Sequence, residues 1–273
     1  MKKSAKVSQY LNKGWEFRSA DGKDWVKANV PGNIHLDLIN NELIPDPFFG
    51  NNESELQWIS DRDWTYRLFF TPDKEIQDRK NKEICFHGID TYADIFLNNK
   101  KIISSNNMFH PWFANVNDVL LPGMNELTIV LRSPIKEVLP LMESLGHTLP
   151  AENDQAGKTS PFTRKAPYHY GWDWGPCFVT SGIWKNVELF AWDYWQLSDI
   201  SIANNKVNDS IAELNVYANL FSNIQEDGKM VITESKTGKS IEYPIQIREG
   251  DNELEYSFTI DDPELWWPAG HGD

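Results

Sequence analysis

The chain has 273 residues, with 40 acidic side chains against 26 basic ones and a formal charge of −14. That length is comfortable for two domains of roughly 100–200 residues each, and a balance this acidic argues against nucleic acid or an anionic membrane as partner, since both require basic patches. Twelve tryptophans, 15 prolines and 16 glycines suit a β-rich globular protein with many turns, and a neutral ligand fits better than a charged one.

Taken in chain order, residues 1–10 are basic but lack the apolar stretch of a signal peptide. No run of eighteen apolar residues follows, so no spanning helix is expected. The compartment stays open: a soluble protein, periplasmic or secreted if an export signal has been removed. Asn33, after Pro31-Gly32, is placed to cap a short helix over 34–41. Residues 64–70 are β-branched and aromatic and stop at Thr71-Pro72. Strands are expected again at 83–87 and 93–97, the latter ended by Asn98-Asn99, a pair that tolerates positive φ. Further strands follow at 101–104, at 127–131 after the Pro122-Gly123 turn, and at 184–190, where apolar and polar residues alternate. Ile135, Val138, Leu139, Met142 and Leu145 recur at helical spacing and predict a helix over 135–145. The polar stretch 150–165 is long enough to be a functional loop.

A boundary is expected near Trp195-Gln196-Leu197, giving a first domain over 1–196 and a second over 197–273. In the second, strands at 200–202, 211–220, 229–234, 239–247 and 253–260 look like a small immunoglobulin-like sandwich. At about 77 residues it is short of the roughly 100 such a domain usually has. Short, evenly punctuated strands throughout read as an all-β protein.

The densest chemistry lies in Tyr168-His169-Tyr170-Gly171-Trp172-Asp173-Trp174-Gly175-Pro176. Gly171, Gly175 and Pro176 exclude a long regular helix and predict a turn or an irregular strand end. An exposed indole beside a carboxylate suits a neutral polyol, because the ring stacks on C–H faces and the carboxylate accepts from adjacent hydroxyls. The same residues also read as two core tryptophans, Trp172 and Trp174, around a turn-forming Asp173. Desolvation beside indoles would raise the Asp173 pKa, whereas Arg164, Lys165 or donated hydroxyls would lower it.

Elsewhere the signals are sparse. There is no nucleophile elbow and no zinc-binding His-Glu-x-x-His, and the six histidines are scattered. Cys85 and Cys177 lack metal-ligand spacing and are expected as buried thiols, pairing only if the fold brings them together. No cofactor or metal is expected. Asn52-Glu53-Ser54 and Asn208-Asp209-Ser210 match the N-glycosylation pattern, a match short enough to arise by chance.

The segment from Arg164-Lys165-Ala166-Pro167 through Tyr168 to Pro176 resembles the hallmark of the β-mannosidases of glycoside hydrolase family two. Val30-Pro31-Gly32, residues 64–70, the stretch from Phe86-His87-Gly88 to Asn98, and Gly182-Ile183-Trp184-Lys185-Asn186-Val187 are similar to that family's N-terminal sugar-binding domain. Leu265-Trp266-Trp267-Pro268-Ala269-Gly270-His271-Gly272 is similar to the close of its second domain. The resemblance spans nearly the whole chain. It implies a jelly-roll (galactose-binding-like) β-sandwich, an immunoglobulin-like β-sandwich, and then a catalytic (β/α)₈ barrel. It also implies retaining hydrolysis of a terminal β-mannosyl unit from the non-reducing end of a mannose-containing oligosaccharide. Both catalytic glutamates belong to that barrel, a part of the same polypeptide that this sequence does not contain, so no residue here is expected to be catalytic. Trp172 and Asp173 map onto the pair that reaches into the barrel's mouth to hold the sugar, with Trp174 beside them and Arg164, Lys165 and Tyr170 as further candidates. A β-galactosidase or β-glucuronidase fragment, and a free-standing carbohydrate-binding module, are the alternatives.

Overall fold

The computed structural model describes residues 6–271; residues 1–5 of the basic N-terminal segment and Gly272 of the closing motif lie outside the described residues. The described residues divide into two compact units, Val7–Ala191 and residues 192–271, with Lys6 grouped with the latter.

In the first unit a six-stranded sheet runs in the order Val26–Lys27, Glu16–Ser19, Trp64–Phe70, Asn125–Leu131, Tyr92–Leu97 and Lys100–Asn106. Every pairing within it is antiparallel. Its register follows from period-two burial. Leu127, Ile129 and Leu131 are buried and stand opposite Leu68, Tyr66 and Trp64 on one side and Leu97, Ile95 and Ala93 on the other. A slip of one residue would turn that row to water. Each large apolar side chain so exposed would forfeit about 1.5–3 kcal/mol. A four-stranded sheet, in the order Val7–Tyr10, Val187–Trp192, Asn81–Phe86 and Trp112–Asn115, supplies Ile84, Phe86, Val187, Leu189 and Ala191 to the same core.

Several local expectations hold. Asn33 caps the helix Ile34–Asn40, its side chain accepting from the Leu36 N–H at 3.1 Å. Asn98 and Asn99 take φ of 51° and 64° between paired strands. Inside the sandwich, that helix is tied to the large sheet by Asp37, which is fully buried and accepts from the Tyr66 hydroxyl and the Asn29 N–H, both at 2.8 Å. Burial pushes the Asp37 carboxyl up from the usual carboxylate range, against the pull of those bonds.

Two expectations need correction. The helix expected over 135–145 is only Leu139–Leu145, with Pro140 in its first turn and none of its own residues buried. Proline has no N–H for the interior of a helix, so residues 135–138 form turns instead, and Val138 alone of that stretch is well inside the core. The alternation seen over 184–190 does not separate an inner from an outer face, because Val187–Trp192 is buried throughout. Its polar member, Glu188, is retained inside by the Ser8 hydroxyl at 2.6 Å and the His87 imidazole at 2.9 Å.

The second unit holds a three-stranded antiparallel sheet, Trp195–Val207, Ile211–Ser222 and Gly250–Asp261, and a hairpin, Glu226–Thr233 with Ser240–Ile247. Its core is Leu220, Ile245 and Ile247, with Trp195, Met230, Leu254 and Tyr256 packed around them.

Candidate functional site

The aromatic segment begins as a single 3₁₀ turn, Pro167–Tyr170, which Pro167 is suited to start because its missing N–H is not needed there. Tyr170 points inward and is fully buried in a small cluster with Cys177 and Val179. Gly171 then takes φ +98°, and a Cβ there would also press on the Gln155 side chain at 3.0 Å; only glycine fits both requirements. Trp172 N–H donates to the Gly175 carbonyl at 3.2 Å and Gly175 N–H returns to the Trp172 carbonyl at 3.4 Å, leaving Asp173 and Trp174 at the tip of a tight turn.

Two remote elements hold this turn. On its N-terminal side Gln155 donates its backbone N–H to the Tyr170 carbonyl at 2.7 Å and its side-chain amide to the Trp172 carbonyl at 3.1 Å. On its C-terminal side Glu53 accepts from the Cys177 N–H at 2.7 Å, and Gln57 donates to the Cys177 carbonyl at 2.9 Å. The tryptophans do not serve the core. Trp174 is 83% exposed and Trp172 39%, with ring centroids 6.4 Å apart. Asp173 is exposed and makes no hydrogen bond or ion pair among the described residues.

Trp172 and Trp174 form one side of a hollow of about 660 Å³ that is completed by Tyr168, His169, Phe178 and Thr180. Phe178 is braced from behind by edge contacts with Phe48 at 5.4 Å and His35 at 5.6 Å. Among the described residues, no carboxylate and no lysine or arginine lines the hollow. Its walls are suited to the C–H faces of an uncharged ligand.

Beneath the hollow lies a buried polar network. Lys165 has no exposed side-chain surface; its ammonium pairs with Asp90 and donates to the Thr180 carbonyl at 2.9 Å and hydroxyl at 3.2 Å. Burial pushes the Lys165 pKa down, and the Asp90 carboxylate opposes that push. Thr180 donates to Asp90 at 2.7 Å and stands 3.2 Å from His169 Nδ1. Burial first, then the Lys165 cation, holds His169 at about 4, so its ring is neutral at ordinary pH.

The sequence candidates therefore separate by depth. Trp172, Asp173 and Trp174 come together at the surface, and Arg164 is exposed. Lys165 and Tyr170 lie under them, where they support the turn and present no atom to a ligand. Phe178, Thr180, Asp90, Glu53 and Gln57 were not singled out in the sequence. Asp90 and Glu53 sit 75 and 124 residues from the groups they hold, a separation without local pattern; only the match of residues 86–98 to the family drew attention near Asp90. Cys85 and Cys177 are both buried thiols. Among the described residues no group of three His, Cys, Asp or Glu side chains is placed to hold a metal ion. No helix among them is long and apolar enough to cross a membrane.

The chain is similar to known proteins along nearly its whole length. Beta-mannosidase B of Thermothelomyces thermophilus is 34% identical over 275 residues, covering 96% of this chain and 30% of that protein. The crystal structure of the β-D-mannosidase from Dictyoglomus thermophilum superposes with a TM-score of 0.89 at 38% identity, covering 98% of this chain and 33% of the other. A Bacteroides uniformis β-glucuronidase superposes at 0.62 with 14% identity, a likeness of fold alone. The chain thus spans about a third of the length of the relatives it matches. Residues 15–185, which carry the whole six-stranded sheet, the buried network and the aromatic turn, match the glycosyl hydrolase 2 galactose-binding domain-like family, and the chain belongs to that family.

Proposed function

We propose that this chain is the N-terminal, sugar-contacting portion of a retaining exo-β-mannosidase, and that Trp172, Asp173 and Trp174 form part of the subsite for the terminal mannosyl unit. The observation that carries the reading is the tight turn itself. It is held at both ends by remote side chains, yet it presents two exposed indoles and a carboxylate with no partner of its own. Exposing so much indole surface forfeits burial energy, which a ligand or neighbouring polypeptide restores. The two named β-mannosidases support the choice of sugar.

In this reading the barrel supplies the acid/base and nucleophilic carboxylates, and this domain supplies binding. Asp173 accepts from sugar hydroxyls, and the indoles cover an apolar face and exclude water. Isolated, the chain binds weakly and does not turn over. The boundary between sugar-binding and immunoglobulin-like domains lies near residue 196 in the same reading. The test is kinetic, on the polypeptide extended through its barrel: Trp172→Ala should lower kcat/KM on 4-nitrophenyl β-D-mannopyranoside at least tenfold. An unchanged kcat/KM would remove the turn from the substrate site.

A further inference from the structure

The hollow is lined by a histidine, His169, whose ring nitrogens the reading above does not use. Thr180 has a single hydroxyl proton. Its neighbours are Asp90 at 2.7 Å, which as a carboxylate only accepts, the Lys165 ammonium at 3.2 Å, which only donates, and His169 Nδ1 at 3.2 Å. The proton therefore goes to Asp90, and the two lone pairs of Thr180 receive Lys165 and His169. That requires the hydrogen of His169 to be on Nδ1. The ring is neutral, so Nε2 is left with a bare lone pair. His169 lines the hollow and retains 18% of its side-chain exposure, and it makes no hydrogen bond through Nε2 among the described residues.

We infer that His169 Nε2 is a fixed hydrogen-bond acceptor for a hydroxyl of an uncharged pyranoside bound against Tyr168, Trp172, Trp174 and Phe178. Thr180 and Asp90 are positioning residues that set its tautomer. The inference rests on the mannoside reading of the same site and adds a specificity: Asp173, at the tip of the turn beside the hollow, and His169 both accept, and the donors in the lining are neutral ones, the indole N–H groups and the Tyr168 hydroxyl. A ligand must bring hydroxyl donors. A carboxylate-bearing sugar meets two acceptors and no cation, because Lys165 is spent on Asp90.

The experiment uses this chain, labelled with ¹⁵N in its histidine rings and indoles, at pH 7. The imidazole and indole nitrogens are followed while methyl β-D-mannopyranoside is titrated in, with methyl β-D-glucuronide as the comparison. The expected result is a pyridine-type Nε2 signal for His169 in the free protein. That signal should shift on mannoside addition together with the Trp172 and Trp174 indoles, and not with the glucuronide. His169→Phe, which keeps a ring in the wall, should weaken mannoside binding by about 2- to 10-fold, as expected for one neutral hydrogen bond. A free protein whose His169 carries its proton on Nε2 overturns the inference without reference to any sugar. Shifts of the indoles without His169, or equal binding of the glucuronide, overturn it and leave the aromatic platform standing. Silence of both the indoles and His169 overturns the inference and the mannoside reading together.

Discussion

Asp173 decides between a ligand role and a turn-forming role more sharply than any other side chain. A turn-forming aspartate accepts from nearby backbone N–H groups, yet Asp173 accepts from none of the described residues, and the turn is closed by backbone bonds between Trp172 and Gly175. Asp173→Asn should therefore leave the melting temperature of the chain unchanged. In the barrel-bearing polypeptide the same change should lower kcat/KM about ten- to hundredfold, the equivalent of losing a charge-assisted bond of about 1.5–3 kcal/mol. A lowered melting temperature with intact kinetics would make it a turn residue. The two depressed histidines give a second prediction at this scale. His169 and His35 are held at about 4 against the usual 6.5, burial being the main cause, with Lys165 opposing their protonation and Asp90 favouring it. Between those limits the unfolded chain binds their protons and the folded one does not, so stability must fall as pH drops from about 6.5 toward 4. Each histidine contributes a slope of up to about 1.4 kcal/mol per pH unit. Urea melts at pH 7, 6 and 5 should show the fall, and His169→Gln should remove its share of the slope.

At the scale of elements, the aromatic turn is placed by a short helix far away in sequence. Asn52–Glu55 delivers Glu53 to the Cys177 N–H, and the next turn delivers Gln57 to the Cys177 carbonyl. Glu53→Ala removes a charge-assisted acceptor and leaves a donor unpaired, which should cost about 1.5–3 kcal/mol in urea unfolding. Unchanged unfolding would mean the clamp is not made in solution. The contrast with the large sheet shows what the sequence could reveal. Strand Asn125–Leu131 was legible because its period-two burial is a local property, and the helix Ile34–Asn40 because Asn33 caps it in place. Apolar spacing alone predicts a helix over 135–145, but Pro140 confines it to Leu139–Leu145. For the site, the turn Trp172-Asp173-Trp174-Gly175 was legible from its glycines and aromatics, whereas Phe178 and the supports Asp90, Thr180, Glu53 and Gln57 were not. The contacts that place them at the site join residues 11 to 143 positions apart, and nothing in a single sequence marks such pairs.

For the whole molecule, the question is whether the 273-residue chain can perform chemistry on the sugar it is proposed to hold. Retaining glycoside hydrolysis needs two carboxyl groups about 5–5.5 Å apart across the scissile bond, one to protonate the leaving oxygen and one to attack the anomeric carbon. Among the described residues, the hollow has none in its lining. Asp173 stands at the tip of the turn beside it, and Asp90 is buried beneath it and neutralised by Lys165. A buried, paired carboxylate cannot reach an anomeric carbon, and a single exposed one cannot serve as both acid and nucleophile. Binding without turnover is therefore the expected behaviour, and it should be visible as quenching or enhancement of tryptophan fluorescence by methyl β-D-mannopyranoside at millimolar concentration. The purified chain should release no 4-nitrophenol from the aryl β-D-mannoside above the uncatalysed rate. Release that co-purifies with the chain and disappears in Asp173→Asn would place a catalytic carboxylate in this domain and overturn the division of labour between it and the barrel. Release that persists in that variant would point to a contaminating hydrolase.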